Sequence, residues 1–524
     1  MPSPSRLADL FGPSAAVGCL LAAGVFGFQG CRSAAEAPGP DGGARLAADA
    51  AARAADEAAG PGDREPPWGN LHYRVTDART GAPIPVKLTF VGAKPWPTPQ
   101  FTRHDVPIQL EGAVAAHNRV FSLTGTGSVR IPQGRYDVWV TRGPEWSAVI
   151  RKGLSVAAAP VQLSASLSHV APMDGWTSAD FHVHAAPSWD SNVPLEARVY
   201  EFAAEGVDVI VSTDHNLVTD YAPVVDELGA GELLRSARGV EVTTKDWGHF
   251  GAFPLEPDPS WDVLEGRMLY GHAPKKLFPD IRSHAPHAVI IVNHPRSVRF
   301  GYFALGKLNP KTARFAKPGA SGDFDAVEIM NGYQDPLLLT LDATLKDWFG
   351  LLASGRHVAA TGDSDTHHLQ HDLAGYPRNY VRVRPGAGPD ALAEALRAGH
   401  AFFTSGPLLQ LDVGGKSFGD LVVAKNGRID GHFTVRAAPW IDVDHVRLYV
   451  GGKLEREWAV PPGAEVRRFE GDISVSTAKD TFIVLRADGH HALGPSVSVR
   501  SRLRPVAIGN PVYVDADGDG NWRP

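Results

Sequence analysis

Two histidines separated by one residue are the first side chains in the sequence that could bind a metal ion together. His182 and His184 end a short run, Trp176 to Val183, that alternates like a β-strand. Side chains at i and i+2 of a strand point to the same face, so both imidazoles could reach one ion. Among 21 histidines, an isolated pair of this kind is more often a structural surface pair. Its meaning therefore depends on the residues that follow.

Imidazole and carboxylate groups recur at the ends of the later strands that the sequence predicts. They are Asp190, His215, Glu241, His249, His294, Asp365 and His367. Unpaired polar groups at buried strand ends are costly, and metal ligation removes that cost. Each residue alone is better explained as a hydrogen-bonded structural group, but their recurrence favours a metal cluster. Without cysteine, such a cluster suits two or three divalent transition metal ions, Zn, Mn or Fe.

A cluster of this kind predicts hydrolytic chemistry. Water that bridges two metal ions has its pKa lowered from 15.7 toward about 7, so it supplies hydroxide near neutral pH. That hydroxide would attack a carbonyl or phosphoryl centre while a metal ion polarises the substrate oxygen. No protein nucleophile is then required, which agrees with the position of both cysteines, Cys19 and Cys31, in the N-terminal segment.

Residues beside the predicted ligands are candidates for supporting roles. Asp214, Asn293 and Asp363 are expected to orient imidazoles or shuttle a proton. Arg296 and Arg378 could bind an anionic or polarised substrate group, or could equally form structural salt bridges. The predicted catalytic set is therefore Asp214, Asp363 and Arg378.

Strands and helices alternate in the part of the chain that carries these residues. The predicted strands are Val207–Ser212, Arg238–Val242, Phe250–Phe253, Ala288–Val292, Ala326–Met330, His357–Ala360 and Tyr380–Val383. The predicted helices are Pro194–Ala204, Leu338–Leu352 and Asp390–Ala398. Continuous apolar strands with intervening helices predict a parallel α/β barrel or sheet. In a barrel, functional residues collect where the strands end.

Four motifs resemble those of the PHP (polymerase and histidinol phosphatase) metallohydrolases. They are His182-Val183-His184, Thr213-Asp214-His215, His294-Pro295 and Asp365-Thr366-His367. The resemblance implies an α/β fold, a distorted (β/α)7 barrel over residues 171–406, with up to three metal ions. It places His182, His184, Glu241 and Asp365 on one ion. It places Asp190, His215 and His367 on a second, and Glu241, His249 and His294 on a third.

Two further stretches, Gly399 to Pro407 and Gly375 to Val381, are similar to the exported CehA/McbA branch of these hydrolases, which includes carbaryl hydrolases. The similarity implies cleavage of an ester, carbamate or amide bond of a small-molecule substrate. Two alternatives stay open. A PHP-type phosphoesterase should show a basic pocket around the metal ions, and a non-catalytic metal-binding lipoprotein of the cell surface should have lost a ligand.

The N-terminal segment predicts export to the periplasm or the cell surface. Residues 1–31 contain an apolar run, Ser14 to Phe28, and resemble a signal peptide with a lipobox at Cys31. Lipidation of Cys31 would attach the chain to a membrane, and a soluble exported protein or an uncleaved anchor are the alternatives. Residues 32–67 lack large apolar side chains, which is typical of a disordered linker.

Short alternating strands on both sides of the central region predict two all-β domains, 68–170 and 407–524, each folded as a β-sandwich. The first resembles transthyretin-like, carboxypeptidase-regulatory-like accessory domains. At the end of the second, Asp515, Asp517 and Asp519 have the spacing of a calcium loop or of an ordinary acidic turn. A net charge of −7 over 524 residues gives no basic field, so nucleic acid is not an expected partner.

Overall fold

The structure, a computed structural model, describes residues 67–258, 270–335, 337–370, 372–498 and 501–524. The predicted signal peptide, Cys31 and nearly all of the predicted linker lie outside these residues. The described residues are mostly β-structure, with thirty strands and seven helices. None of the helices in this part of the chain is long and apolar enough to cross a membrane.

The first module, defined here as residues 68–167, consists of two sheets. Its strands are β1 (Trp68–Asp77), β2 (Val86–Gly92), β3 (Ile108–Leu110), β4 (Ala113–Ala116), β5 (Arg119–Ser122), β6 (Thr126–Pro132), β7 (Gly134–Thr141), β8 (Val149–Val156) and β9 (Val161–Leu167). The sheets have the orders β6-β1-β9 and β3-β4-β5-β2-β7-β8. Alternate side chains of β1, such as Leu71 and Val75, share one apolar core with Phe90 of β2. This arrangement is compatible with the predicted β-sandwich.

Strands and helices alternate in the central region. The elements are β10 (Thr177–Val183), α1 (Leu195–Ala204), β11 (Val209–Ser212), α2 (Ala222–Glu227), β12 (Arg235–Arg238), β13 (Val240–Thr243), β14 (His249–Phe253), α3 (Pro274–His284), β15 (Val289–Val292), α4 (Tyr302–Leu305), β16 (Leu308–Asn309), β17 (Arg314–Phe315), β18 (Ala326–Asn331), α5 (Leu341–Ala353), β19 (Ala359–Asp363), β20 (Arg378–Val381), α6 (Pro389–Arg397) and β21 (Ala401–Thr404). Proline stands in the first turn of α2, α3 and α6, where its missing N–H is not needed.

Apart from the hairpin of β16 and β17, the strands of the central region pair in two sheets rather than in one closed ring. One runs β12-β11-β10-β20-β21, and the other runs β13-β14-β15-β18-β19. Phe181 of the first sheet stacks on Phe253 of the second, with ring centroids 5.0 Å apart, so the sheets share an apolar core. Two parallel backbone bridges, Val183 with Thr366 and His215 with Glu241, link the sheets where their strands end.

The prediction of purely parallel strands is wrong at two places. β14 is antiparallel to both β13 and β15, and β20 is antiparallel to β10 and β21. Residues 244–248 between β13 and β14 are too few for the crossover of about a dozen residues that parallel neighbours require. β10, β11 and β12 are parallel, as are β15, β18 and β19.

The C-terminal region continues the first central sheet. Its elements are β22 (Leu408–Asp412), β23 (Leu421–Val423), β24 (Arg428–Arg436), β25 (His445–Val450), β26 (Lys453–Ala459), β27 (Arg467–Ser476), β28 (Thr481–Asp488), α7 (Gly494–Val497), β29 (Val506–Gly509) and β30 (Val512–Asp515). β21 pairs with β29, which leads on to β28, β25 and β26, while β22, β24 and β27 form a separate sheet. The predicted domain limit at residue 406 therefore lies within a region that one sheet spans.

A buried lysine ties the first module to the central and C-terminal regions. Lys87 of β2 is 1% exposed and pairs with Glu205, the residue that ends α1. Its ammonium also donates to the carbonyl of Val497, at 2.8 Å. Burial lowers the pKa of Lys87, and the Glu205 carboxylate opposes this shift.

We expect Lys87→Met to destabilise the protein by about 3–5 kcal/mol, because it leaves the Glu205 carboxylate buried without its partner. The urea unfolding midpoint measures this effect. The exposed Lys152→Met is the control and should change stability little. Lys87→Met/Glu205→Gln, which removes both charges, should lose less stability than Lys87→Met alone, and an equal or larger loss would contradict the assignment.

Candidate metal centre

All nine predicted metal ligands lie together where strands of the two central sheets end. His182 and His184 end β10, His215 follows β11, Glu241 lies in β13, His249 begins β14, His294 follows β15, and Asp365 and His367 follow β19. The side chains of these eight residues are buried, while that of Asp190, in the loop after β10, is 27% exposed. The buried apolar strands thus carry ionisable groups to one place.

The ligand atoms form overlapping groups, each with its atoms within 4.8 Å of one another, and four of these groups contain only predicted ligands. The four groups are His184, Asp190, His215 and His367; His182, His294 and Asp365; His182, His184 and Glu241; and His215, Glu241 and His249. These groups differ from the predicted assignment at three residues. His294 groups with His182 and Asp365 rather than with His249, His184 also joins the group of Asp190, and His215 also joins Glu241 and His249. His294 and His249 nevertheless both contact Glu241 Oε1, at 3.2 Å each.

Distances between these atoms match those around a shared metal ion. His182 Nε2 lies 3.1 Å from Glu241 Oε1 and 3.2 Å from Asp365 Oδ1, and His184 Nε2 lies 3.3 Å from Asp365 Oδ1. Ligand atoms about 2.0–2.1 Å from a tetrahedral metal ion are themselves about 3.4 Å apart. The arrangement therefore fits divalent metal ions.

Several buried polar atoms at this site have no hydrogen-bond partner among the residues that the structure describes. They are His184 Nε2, Asp190 Oδ1, Glu241 Oε2, His249 Nδ1 and Nε2, His294 Nδ1 and Asp365 Oδ1. Each buried unsatisfied group costs about 1–3 kcal/mol. Metal ligation would satisfy atoms of this set, so the donor set present fits a metal cluster on its own geometry.

The electrostatics of the site couple carboxylates to imidazoles. Burial alone would lower the pKa of His182, but the carboxylates of Asp365, Glu241 and Glu328 raise it well above its usual value. Burial would raise the pKa of Glu241, and the surrounding imidazoles, with His249 first, hold it well below its usual value. The carboxylates therefore stay ionised and favour positive charge at the centre of the site.

Hydrogen bonds on the outer side of the rings fix how the imidazoles face inward. His182 Nδ1 bonds to Glu328 Oε1 at 3.1 Å, His184 Nδ1 to Ser188 Oγ at 2.9 Å, and His367 Nδ1 donates to the carbonyl of Asp365 at 2.9 Å. These bonds leave the Nε2 atoms directed at the neighbouring carboxylates. A ligand imidazole is commonly oriented in this way.

Two of the ligands have a strained backbone. His294 has a φ of +28° and Asp365 a φ of +53°, in the region that side chains other than glycine rarely adopt. Such positions cost about 1–3 kcal/mol and persist where the surroundings enforce them. At Asp365 the enforcing contacts include its N–H, which donates to the carbonyl of His182 at 2.8 Å.

Comparison with known proteins does not assign this chain to a family. No family model matches the sequence. No curated protein matches it either. Among solved structures, the CARDB domain of a Pyrococcus furiosus protein is 22% identical and covers 21% of this chain and 94% of its own, with a TM-score of 0.15.

A second structure of that CARDB domain, in complex with di-metal ions, is 20% identical over 21% of this chain and 89% of its own, with a TM-score of 0.15. A protein from Bifidobacterium adolescentis, named as a candidate metal-dependent phosphoesterase, is 15% identical over 39% of this chain and 92% of its own, with a TM-score of 0.25. TM-scores this low do not establish a shared fold, so the interpretation of the site rests on its geometry.

The contacts of Arg378 are structural, which is one of the two roles that the sequence leaves open for it. Its guanidinium is buried and donates to backbone carbonyls, from Nε to Gly375 at 2.7 Å and from Nη1 to Glu205 at 2.9 Å. Arg378 thus holds the ends of α1 and β20. Arg296 likewise forms a two-pronged pair with Asp347 and is not free for an anion.

The two predicted catalytic aspartates bind backbone and hydroxyl groups rather than imidazoles. Asp214 accepts from the N–H of Ala185 at 2.9 Å and from the hydroxyl of Tyr221 at 2.9 Å. Asp363 accepts from the N–H of Phe181 at 2.8 Å and from the amide of Asn379 at 2.7 Å. Burial raises the pKa of both carboxyl groups. Their positions indicate that they hold the chain on either side of the His182–His184 pair.

Asn293 contacts both a carboxylate and an imidazole of the site. Its side-chain amide donates to Glu241 Oε1 at 2.9 Å and lies 3.3 Å from His182 Nε2. Asn293 therefore positions the carboxylate that contacts the most imidazoles.

Glu328 is the residue that sequence reasoning missed. It lies in β18, where its carboxylate contacts His182 Nδ1 and accepts from the backbone N–H of His294 and the amide of Asn331. Asn331 in turn donates to Asp365 Oδ2 at 3.0 Å. The available signal was a glutamate inside the otherwise apolar strand Ala326–Met330, because such a position is buried on both faces.

The acidic tail forms a turn through its own hydrogen bonds. Asp515 accepts from the N–H groups of Gly518 at 2.7 Å and Gly520 at 2.8 Å, and Asp519 accepts from that of Asn521 at 2.7 Å. Calcium binding by Asp515, Asp517 and Asp519 stays a prediction.

Glu328→Gln should weaken metal binding about 10- to 100-fold, because the amide is a poorer acceptor for the ring N–H that orients His182. Competition with a chromogenic chelator measures this change. Glu145→Gln is the matched control, since Glu145 pairs with the partly exposed His169 outside the centre. Equal metal affinity of Glu328→Gln and the wild type would show that Glu328 does not orient a ligand.

Proposed function

We propose that this protein is a metal-dependent hydrolase that cleaves an ester, carbamate or amide bond of a small molecule. The two linked central sheets then correspond to a distorted (β/α)7 barrel of the PHP type. The observation that carries the proposal is the convergence of nine ligand-type side chains on one buried site, with unsatisfied atoms directed at one another. A structural role alone would leave that desolvation cost uncompensated.

Divalent ions held by these groups would activate water as a nucleophile and polarise the substrate oxygen. The chain itself supplies the rest. Glu241 and Asp365 stay ionised and balance the positive charge, while Asn293 and Glu328 keep their neighbours oriented. Asp190 is the ligand with the most exposed side chain, so it marks the side from which substrate enters.

Aromatic side chains cover the outer faces of three imidazoles. Trp189 stacks on His215 with ring centroids 5.2 Å apart, Phe300 on His249 at 4.9 Å, and Tyr333 on His367 at 4.8 Å. Trp189 and Tyr333 are 55% and 38% exposed. We name these three residues the aromatic rim.

The aromatic rim is better suited to a neutral substrate with an apolar group than to a phosphoester. Arg296 and Arg378, the two cations considered for a basic pocket, are engaged by Asp347 and by backbone carbonyls. An exposed tryptophan such as Trp189, which lies beside the metal-binding candidate His215, can stack on a planar group of the substrate. Both features favour hydrolysis of an ester, carbamate or amide over hydrolysis of a phosphoester. All nine predicted positions carry a residue that can bind a metal ion, whereas a non-catalytic metal-binding protein is expected to have lost at least one.

Purified protein should contain two or three equivalents of transition metal and should hydrolyse an aryl ester or carbamate faster than an aryl phosphoester. Elemental analysis and a substrate panel test this. His182→Ala and Asp365→Ala should abolish turnover and lower the metal content, whereas His432→Ala, at an exposed histidine of β24, should change neither. Metal-free wild-type protein after growth and refolding with Zn, Mn or Fe would refute the proposal.

Trp189→Ala should raise KM for aryl substrates about two- to thirteen-fold, which corresponds to the about 0.5–1.5 kcal/mol of one aromatic contact. KM for an aliphatic ester of similar size should change less. Trp96→Ala, at an exposed tryptophan of the first module, is the control. If KM for aryl and aliphatic substrates rises equally, the aromatic rim does not bind the substrate's ring.

A further inference from the structure

The first module reaches the loop that carries one of the ligands. Asp105, which precedes β3, accepts from the backbone N–H of Leu369 at 2.9 Å through Oδ1 and contacts His368 Nδ1 at 2.9 Å through Oδ2. We name residues 367–370 the ligand segment, because it begins with His367. The segment lies between β19 and β20 and contains no helix or strand of its own.

A buried arginine of the same module makes a second set of contacts. Arg119 of β5 is 3% exposed, and its Nη2 donates to the carbonyls of Leu369 and, at 3.1 Å, Gln370. Burial lowers the pKa of Arg119, and Glu201 is the first of the carboxylates that oppose this shift. A guanidinium is brought out of water here to bind two backbone oxygens of the ligand segment.

Apolar packing completes this contact. Leu369 is fully buried in a small cluster with Ala116 of β4, Ala197 of α1 and Val193, which precedes α1. Leu369 therefore lies between the first module and the helix that follows β10. Leu369, two positions after His367, is thus contacted at its backbone by Asp105 and Arg119 and at its side chain by Ala116.

Residues on either side of the ligand segment also contact His367. The hydroxyl of Ser191 donates to the carbonyl of His367 at 2.7 Å, and Asp372 accepts from the N–H groups of His367 and His368. His367 Nε2 then lies 3.4 Å from Asp190 Oδ2, and the ring stacks on His184 with centroids 4.1 Å apart. Movement of the segment would carry this ring out of its group.

We propose that the first module is a working part of the metal centre, in which Asp105 and Arg119 are positioning residues for His367. This inference rests on the metal binding in the proposed function, not on the reaction itself. Without a helix or strand, the ligand segment depends on side chains for its conformation. Residues that orient a ligand typically contribute 10- to 100-fold to metal affinity, or about that much to activity.

Asp105→Ala and Arg119→Met test the proposal in the full chain, with Zn(II) and Co(II) as probes. Each variant should bind one metal equivalent about 10- to 100-fold more weakly than the wild type, while the remaining equivalents keep wild-type affinity. Stepwise dialysis against a chelator with elemental analysis measures this, and the Co(II) absorption spectrum should change in the same step. Asp105→Asn keeps the side-chain volume and decides the outcome if Asp105→Ala does not fold.

Arg142→Met is the matched control for simple loosening of the first module. Arg142 also crosses to the central region with a guanidinium, donating to the carbonyls of Pro85 at 2.9 Å and Ala203 at 3.2 Å, but it does not contact the ligand segment. The Arg142→Met variant should have a lower Tm than the wild type but the same metal affinity. Wild-type metal affinity in the Asp105 and Arg119 variants would overturn the inference, as would the same loss in Arg142→Met. Metal-free wild-type protein would refute the proposed function instead.

Discussion

The carboxylate of Glu241 lies among five imidazoles, and the arrangement of the central region depends on this contact. Its oxygens lie 2.8–3.6 Å from the ring nitrogens of His182, His184, His215, His249 and His294. A carboxylate at this depth is costly unless positive charge surrounds it. The five rings come from four strands of two different sheets, so the sheets must meet at this point. The sheets meet at the two backbone bridges, Val183 with Thr366 and His215 with Glu241.

The same constraint explains why so many surrounding groups are polar and hydrogen-bonded. Glu328, Asn293 and Asn331 satisfy the sides of the ligands that face away from the centre. Below them the shared core of Phe181 and Phe253 excludes water, which strengthens every electrostatic contact above it. Above them, the aromatic rim covers the rings on the solvent side. The site is therefore a polar layer enclosed between two apolar ones.

Much of the site could be predicted because it depends on local patterns. His182 and His184 share a strand face, and the apolar runs before His215, His294 and Asp365 identify buried strands. The antiparallel direction of β14 does not follow from its apolar composition, since apolar strands read alike in either direction; the signal for it is the short connection of residues 244–248. The contact of Arg378 could not be predicted, because its partner carbonyl at Glu205 lies 173 residues away in the chain. The contact of Arg119 with Leu369 spans 250 residues and left no local signal for the same reason.

The pairing of β21 with β29 has a consequence for how the chain is made. Phe402, Phe403 and Thr404 are hydrogen-bonded to residues 507–509, which follow much later in the chain. Until residues 507–509 leave the ribosome, β21 presents an apolar edge that can pair with another chain. The nascent protein therefore cannot complete its first central sheet before that point, and the unpaired edge is a site for aggregation until then. A chain that ends after Gly406 would keep this exposed edge permanently.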